Sequence, residues 1–219
     1  MLAGMLLAIG LASTGARAAT VRGTIRVPAP PRDEPTFRPY AGRANAMVCA
    51  TRPPRGLRSD AVVYLESVPA DVDSGLPPAP RPKLAQKDQS FSPRVVVVPA
   101  GGSVDFPNLD PIYHNVFSVS PIRRFDLGKY PRGESRSVRF SKPGVVNVYC
   151  DIHSDMAAFI LVLPNRAFAR PRADGSWQLP DVPGGRYALC WWHPDFPCGR
   201  RDIEIGEGRD NVVDLEFAP

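Results

Sequence analysis

Four side chains carry the chemistry legible in this sequence: His114, Cys150, His153 and Met156. Three of them share one short segment, Cys150-Asp151-Ile152-His153-Ser154-Asp155-Met156, with the spacing Cys-x-x-His-x-x-Met. The residues before it, Val146-Asn147-Val148-Tyr149, alternate and predict a strand ending at the cysteine. His114 stands well upstream and opens a second predicted strand, His-Asn-Val-Phe-Ser-Val. Thiolate and imidazole together suit copper in both oxidation states, and a trigonal Cys-His-His set with a long thioether contact suits electron transfer. A strand-edge cysteine, a turn carrying a histidine and a methionine one turn further can all point at one ion. A histidine on an adjacent strand completes the set.

Any one of these residues alone would ordinarily be core packing. Together, in a strand-turn-strand context, they read as a metal site. Zinc is the competing ion, but structural zinc sites use Cys and His, and a thioether is a poor ligand for it. A cysteine nucleophile needs a paired base and an activating environment. No helix N-terminus is predicted at Cys150, and His114, His153 and His193 are the only histidines in the chain.

The elements that must position these residues follow from composition. The chain has 219 residues, enough for one large all-β domain or two small ones. Hydrophobic residues are 43% and charged residues 22%, which excludes wholesale disorder. The 26 prolines disfavour long helices and favour short strands joined by turns. The formal charge of +5 comes from scattered arginines, many beside prolines; without a basic helix or an aromatic-basic ladder, nucleic-acid binding is not supported.

Residues 19–28 alternate as a strand, 29–60 read as a long Pro- and Arg-rich loop, 61–68 as a buried strand and 69–84 as a linker. Residues 85–163 hold a dense run of strand signals, including VVVVPAGGSVDFP, SRSVRF, GVVNVYC and AAFILVL. Residues 164–219 start a new pattern of strands around a Pro-Gly-Gly turn. The fold class is therefore all-β, as a sandwich.

Met1–Ala12 is apolar but shorter than the roughly 20 residues of a membrane span. Ala16-Arg17-Ala18 is a small-x-small pattern, so residues 1–18 read as a signal peptide cut after Ala18. The expected location is periplasmic or secreted, with no transmembrane segment in the mature chain. An oxidising compartment permits disulfides. Of Cys49, Cys150, Cys190 and Cys198, the last two flank Trp-Trp-His-Pro-Asp-Phe-Pro, where a turn is expected to join them in a hairpin bridge.

The segment 85–163 resembles the cupredoxins, of the plastocyanin and amicyanin kind, in VVVVPAGG, GGSVDFPNLD, HNVFSV and KPGVVNVYC as well as in the short ligand loop. The resemblance implies a Greek-key β-sandwich holding one type 1 (blue) copper ion, with His114, Cys150, His153 and Met156 as ligands. It implies one-electron transfer rather than enzymatic turnover, with His153 nearest solvent. It also implies that Asn115 braces the ligand loop by a hydrogen bond. The sequence departs where those proteins carry proline between Cys and His: here Asp151-Ile152 fill the gap, and Asp151 and Asp155 bring charge to a rim that is usually apolar. With two histidines used at this site, the chain cannot also build the further copper centres of multicopper oxidases or copper nitrite reductases.

The segment DGSWQLPDVPGGRYALCWWHP resembles the carboxypeptidase regulatory-like, or prealbumin-like, β-sandwich; Val21-Arg22-Gly23-Thr24-Ile25 fits its first strand and AVVYLE its second. Residues 19–68 and 164–219 would then form one second sandwich, with the linker to residue 84 leading into the inserted copper segment. This order of parts resembles exported proteins known as methylamine-utilisation proteins. Between the ligand strands, Arg123, Arg124, Lys129, Arg132, Arg136 and Arg139 form a basic stretch, either a docking face for an acidic redox partner or a solvated loop. His193, beside Trp191 and Trp192, reads as a turn histidine packed against core aromatics. Other functional readings are copper delivery without a redox partner, and an interaction module with a vestigial copper site.

Overall fold

The computed structural model describes residues 18–28 and 58–218. The leader before Ala18, Cys49 and most of the 29–60 loop lie outside the described residues. Among the described residues no helix is long and apolar enough to cross a membrane.

The described residues are nearly all in strands and the turns that join them. They begin with strand β1 (Ala18–Arg26), β2 (Val62–Leu65) and a short helix α1 (Ala70–Gly75). The hairpin β3 (Ala85–Lys87) and β4 (Ser90–Ser92) follows, then β5 (Val95–Pro99), β6 (Ser103–Pro107), β7 (His114–Ser118), β8 (Phe125–Tyr130), β9 (Ser135–Arg139), β10 (Gly144–Tyr149) and β11 (Ala157–Leu163). The last strands are β12 (Phe168–Ala169), β13 (Ser176–Gln178), β14 (Val182–Pro183), β15 (Gly185–His193), β16 (Phe196–Ile205), β17 (Asp210–Val212) and β18 (Leu215–Glu216).

Two expectations need correction here. The 69–84 linker contains α1, because Pro69 occupies its N-cap position, where no backbone N–H is needed, and Asp71 and Asp73 fall in the first turn. The basic stretch lies mostly on strands: Phe125–Tyr130, not singled out as a strand, pairs with β7 as β8, while Ser135–Arg139 pairs with β6 as β9, where SRSVRF was expected as one.

Strands β5, β11, β10, β7 and β8 form one sheet in that order, and β6 pairs with β9 opposite it. Val96, Val98, Phe106, Val116, Tyr130, Val138, Val146, Val148 and Ile160 fill the space between. A second group of strands combines the two ends of the chain. Strand β1 pairs with β13, β14, β17 and β18, while β2 lies between β12 and β15. Val21, Ile25, Val63, Leu65, Trp177, Leu189 and Phe217 share its core.

The apolar runs Val95–Val98 and Ala157–Leu163 have a direct explanation. Alternate residues of β5 and β11 face opposite ways. Val96, Val98, Ile160 and Val162 enter the core of the ligand-bearing sheet. Val95, Val97, Leu161 and Leu163 meet Val62, with Tyr64, Phe168 and Trp192 packed alongside. Both faces are buried, so the alternation expected of a one-sided strand disappears.

Gly23 marks the tightest backbone approach in the second group. A Cβ there would lie 1.9 Å from the Val213 carbonyl oxygen. Gly23→Ala is expected to cost about 1–3 kcal/mol, the usual range for overpacking. Chemical denaturation measures it, and an unchanged midpoint would contradict the close approach.

Candidate metal centre

The β10–β11 hairpin builds most of the site. Its last pair, Tyr149↔Ala157, leaves Cys150 and Met156 as the first and last residues of the connecting loop. The Met156 N–H donates to the His153 carbonyl at 3.1 Å, which folds the loop into a turn and brings His153 back over it. Strand β7 lies beside β10 through Tyr149↔Phe117 and carries His114 at its start. One nitrogen from each of His114 and His153 and the Cys150 sulfur lie within 4.8 Å of one another. The two imidazole centroids are 4.9 Å apart and inclined by 55°.

Burial grades the four residues. His114 is fully buried, Cys150 and Met156 are 5% and 1% exposed, and His153 is half-buried. Met156 and Cys150 belong to one apolar cluster, so both sulfur-bearing side chains are packed in the core at the base of the loop.

The chemistry of the donor atoms fits a metal ion. Nδ1 of His114 and Nδ1 of His153 are both buried without a hydrogen-bond partner. A buried polar atom left so costs about 1–3 kcal/mol. Two rings with such nitrogens, each with one nitrogen within 4.8 Å of the Cys150 sulfur, make with the thiol a donor set of the kind that holds copper.

Several neighbours escaped the sequence reading. Asp110 Oδ2 lies 2.7 Å from His114 Nε2. The same carboxylate accepts the backbone N–H groups of Asp88 and Gln89 at 2.6 and 2.9 Å. Burial opposes its ionisation, but the Gln89 N–H, the His114 ring and the Asp88 N–H together outweigh that and hold its carboxyl below the usual range. Tyr130, directly across from His114, is fully buried; burial pushes its phenol up to about 12. It donates to the Phe106 carbonyl and accepts from Gln86.

Asn115 does not brace the ligand loop. Its Nδ2 donates to Asp126 Oδ1 on β8 at 2.7 Å, and its buried Oδ1 meets no donor. An ionised carboxylate one strand away is the stronger acceptor.

The expected Cys190–Cys198 bridge is also absent, and both residues are separate thiols. Cys190 pairs with Arg200 across β15 and β16, so Cys198 is a diagonal neighbour rather than a facing one. Diagonal pairs stand about 7–8 Å apart, beyond the usual reach of a disulfide. Burial pushes the Cys190 thiol up, and it shares a hydrogen bond with Tyr64.

His193 is 1% exposed and packs against Phe196 and Phe217 at 4.9 and 5.5 Å, away from the other two histidines. The basic residues spread along two strands. Lys129 lies next to the Tyr130↔His114 pair, whereas Arg123 and Arg124 lie beyond the far end of β8, and all three are exposed. Arg136 is half-buried with its guanidinium 4.8 Å over the Tyr130 ring. Around the histidines, Leu109, Ile112, Tyr113 and Ile152 are exposed, together with Asp151 and Asp155.

No protein-family model matches the chain, and no curated protein matches it in sequence. Among solved structures, part of the chain is similar to cupredoxins. A copper-containing nitrite reductase from Thermus scotoductus SA-01 is 27% identical over 43% of this chain and 27% of its own, with a TM-score of 0.37. This chain therefore spans about a quarter of that enzyme's length. A purple cupredoxin from Nitrosopumilus maritimus is 21% identical over 38% of this chain and 99% of its own, at 0.34. Amicyanin from Paracoccus versutus is 19% identical over 46% of this chain and 96% of its own, at 0.34.

Proposed function

We propose that this chain is an exported type 1 copper protein that transfers single electrons and catalyses no reaction of its own. The observation that carries the proposal is that His114 and His153, whose buried Nδ1 atoms have no hydrogen-bond partner, each bring a ring nitrogen within 4.8 Å of the Cys150 sulfur. Copper bound there supplies a one-electron couple. Cys150 contributes the thiolate, His114 and His153 the two imidazoles, and Met156 the weak thioether that tunes the potential.

The scaffold suits this task. Cys150 and Met156 sit at the ends of two paired strands, and His114 begins a third strand of the same sheet. Ligands held on packed strands move little between oxidation states, which keeps the cost of electron transfer low. His153 is the most exposed of the four and serves as the exit toward a partner. Exposed Lys129 and Arg132 offer cations for an acidic redox partner, beside the exposed carboxylates of Asp151 and Asp155 on the ligand loop. The exported, periplasmic location rests on the leader-like residues 1–18.

The test is an optical and EPR spectrum of the mature protein with added Cu(II), followed by a redox titration. A blue, reversible centre is expected. A colourless site that holds only Cu(I) and yields it to a chelator would favour copper delivery instead. Met156→Leu should leave the blue colour and shift the potential. Complete loss of copper from that variant would contradict the weak role given to the thioether.

A further inference from the structure

Asp110 is held more firmly than any loop carboxylate needs to be for packing alone. It is 5% exposed and sits between β6 and β7. Asp88 and Gln89, the two turn residues of the β3–β4 hairpin, both have positive φ, 54° and 55°. That conformation aims two consecutive N–H groups at the one carboxylate. From the other side, the Asp110 N–H donates to Asn108 Oδ1 at 2.9 Å. Asn108 is fully buried, and its Nδ2 donates to the carbonyls of Ile112 and Tyr130. The loop leading into His114 is thereby pinned at both ends.

An ionised carboxylate can only accept. With two backbone N–H groups already aimed at this carboxylate and the ring 2.7 Å away, a neutral His114 meets it as the Nε2–H tautomer, which leaves Nδ1 as a lone pair. Nδ1 is the buried nitrogen without a partner. The proton on one nitrogen and the donor pair on the other are thus decided by a residue that never touches the metal position.

We propose that Asp110, fixed by the β3–β4 turn, positions His114 as a metal ligand and, through its buried negative charge, favours the more highly charged metal ion and so lowers the reduction potential. This rests on the copper reading above. With Cys150 as thiolate, the site presents two negative charges, which match Cu(II) and exceed Cu(I). Removing one of them penalises Cu(II) more than Cu(I).

Two measurements test this. Nitrogen-resolved NMR of the metal-free wild-type protein should show His114 as the Nε2–H tautomer; the Nδ1–H tautomer would overturn the proposal. This result needs neither copper nor a variant, so it stands apart from failure of the copper reading, which wild-type protein that binds no copper would reveal. In the copper-loaded protein, Asp110→Asn keeps an oxygen to accept from Nε2 but removes the charge. Its Cu(II) affinity should fall about 10–100-fold relative to Cu(I). At 59 mV per decade, that raises the midpoint potential by roughly 60–120 mV. Asp110→Glu should bring the potential back toward wild type. An Asp110→Asn potential within a twofold change of the Cu(II)/Cu(I) affinity ratio, or a Glu variant no better than Asn, would overturn the charge role.

Discussion

Cys150→Ser is expected to abolish the intense visible absorption of the copper-loaded protein, because that band requires a copper–thiolate bond. Serine matches cysteine in shape, but its hydroxyl does not ionise near neutral pH and is a hard donor in place of a soft one. The fold should survive. Cys150 is 5% exposed, follows the last residue of β10 and needs no special backbone conformation. The new hydroxyl can donate to one of the partnerless Nδ1 atoms, so metal-free stability should change by no more than about 1 kcal/mol. The variant therefore separates chemistry from folding. Absorbance after addition of Cu(II) reads the first, and thermal unfolding of the metal-free protein reads the second. A Ser variant that kept the intense band would remove Cys150 from the ligand set and the proposed function with it.

The largest stability loss is expected far from any chemistry, at Arg94. Its guanidinium makes paired bonds of 2.7 and 2.6 Å to Asp195 and a third of 3.0 Å to Asp60. The same group lies 5.4 Å over the Phe159 ring. These partners come from three stretches of chain: Asp60 before β2, Phe159 on β11 and Asp195 in the β15–β16 turn. The cluster adjoins the apolar contact of Val62, Val95 and Leu161 between the two groups of strands. The Arg94 side chain is 12% exposed and that of Asp60 only 4%. Arg94→Leu leaves both carboxylates without the guanidinium that balances them, which typically costs about 3–5 kcal/mol. For a chain of this size that corresponds to a Tm lowered by roughly 6–20 °C. Arg94→Lys should fall between, since a lysine keeps the charge but cannot make the forked contact. A loss below about 1 kcal/mol in the Leu variant would mean that the ion cluster does not hold the two groups of strands together.

The ligand loop was readable because its information is local. Cys150, His153 and Met156 lie within one hairpin connection, and strand alternation on either side announces that hairpin. His114 was readable because histidine is scarce and a strand follows it. Asp110 was not. It is one of 22 acidic residues, and its partners on the β3–β4 turn lie about twenty positions upstream. Nothing in the short run Ala85–Ser92 announced a hairpin whose turn amides would close on a carboxylate. Asn115 shows the opposite error: its place after the histidine suggested a brace, but Asp126 on the neighbouring strand takes its amide. The Cys190–Cys198 bridge failed on register, which depends on how β15 and β16 pair around a bulge and not on the number of residues between the thiols.

By itself the sequence determined that the chain is all β and that thiol, imidazole and thioether meet in one loop. Proline content, strand alternation and donor spacing each act over a few residues, so they survive in a linear reading. Only the tertiary structure decided which strands share a sheet, that β5 and β11 are covered on both faces, and which carboxylate meets the buried ring of His114. Those outcomes depend on contacts between segments tens of residues apart, where packing and charge select one pairing among many that the local pattern allows equally.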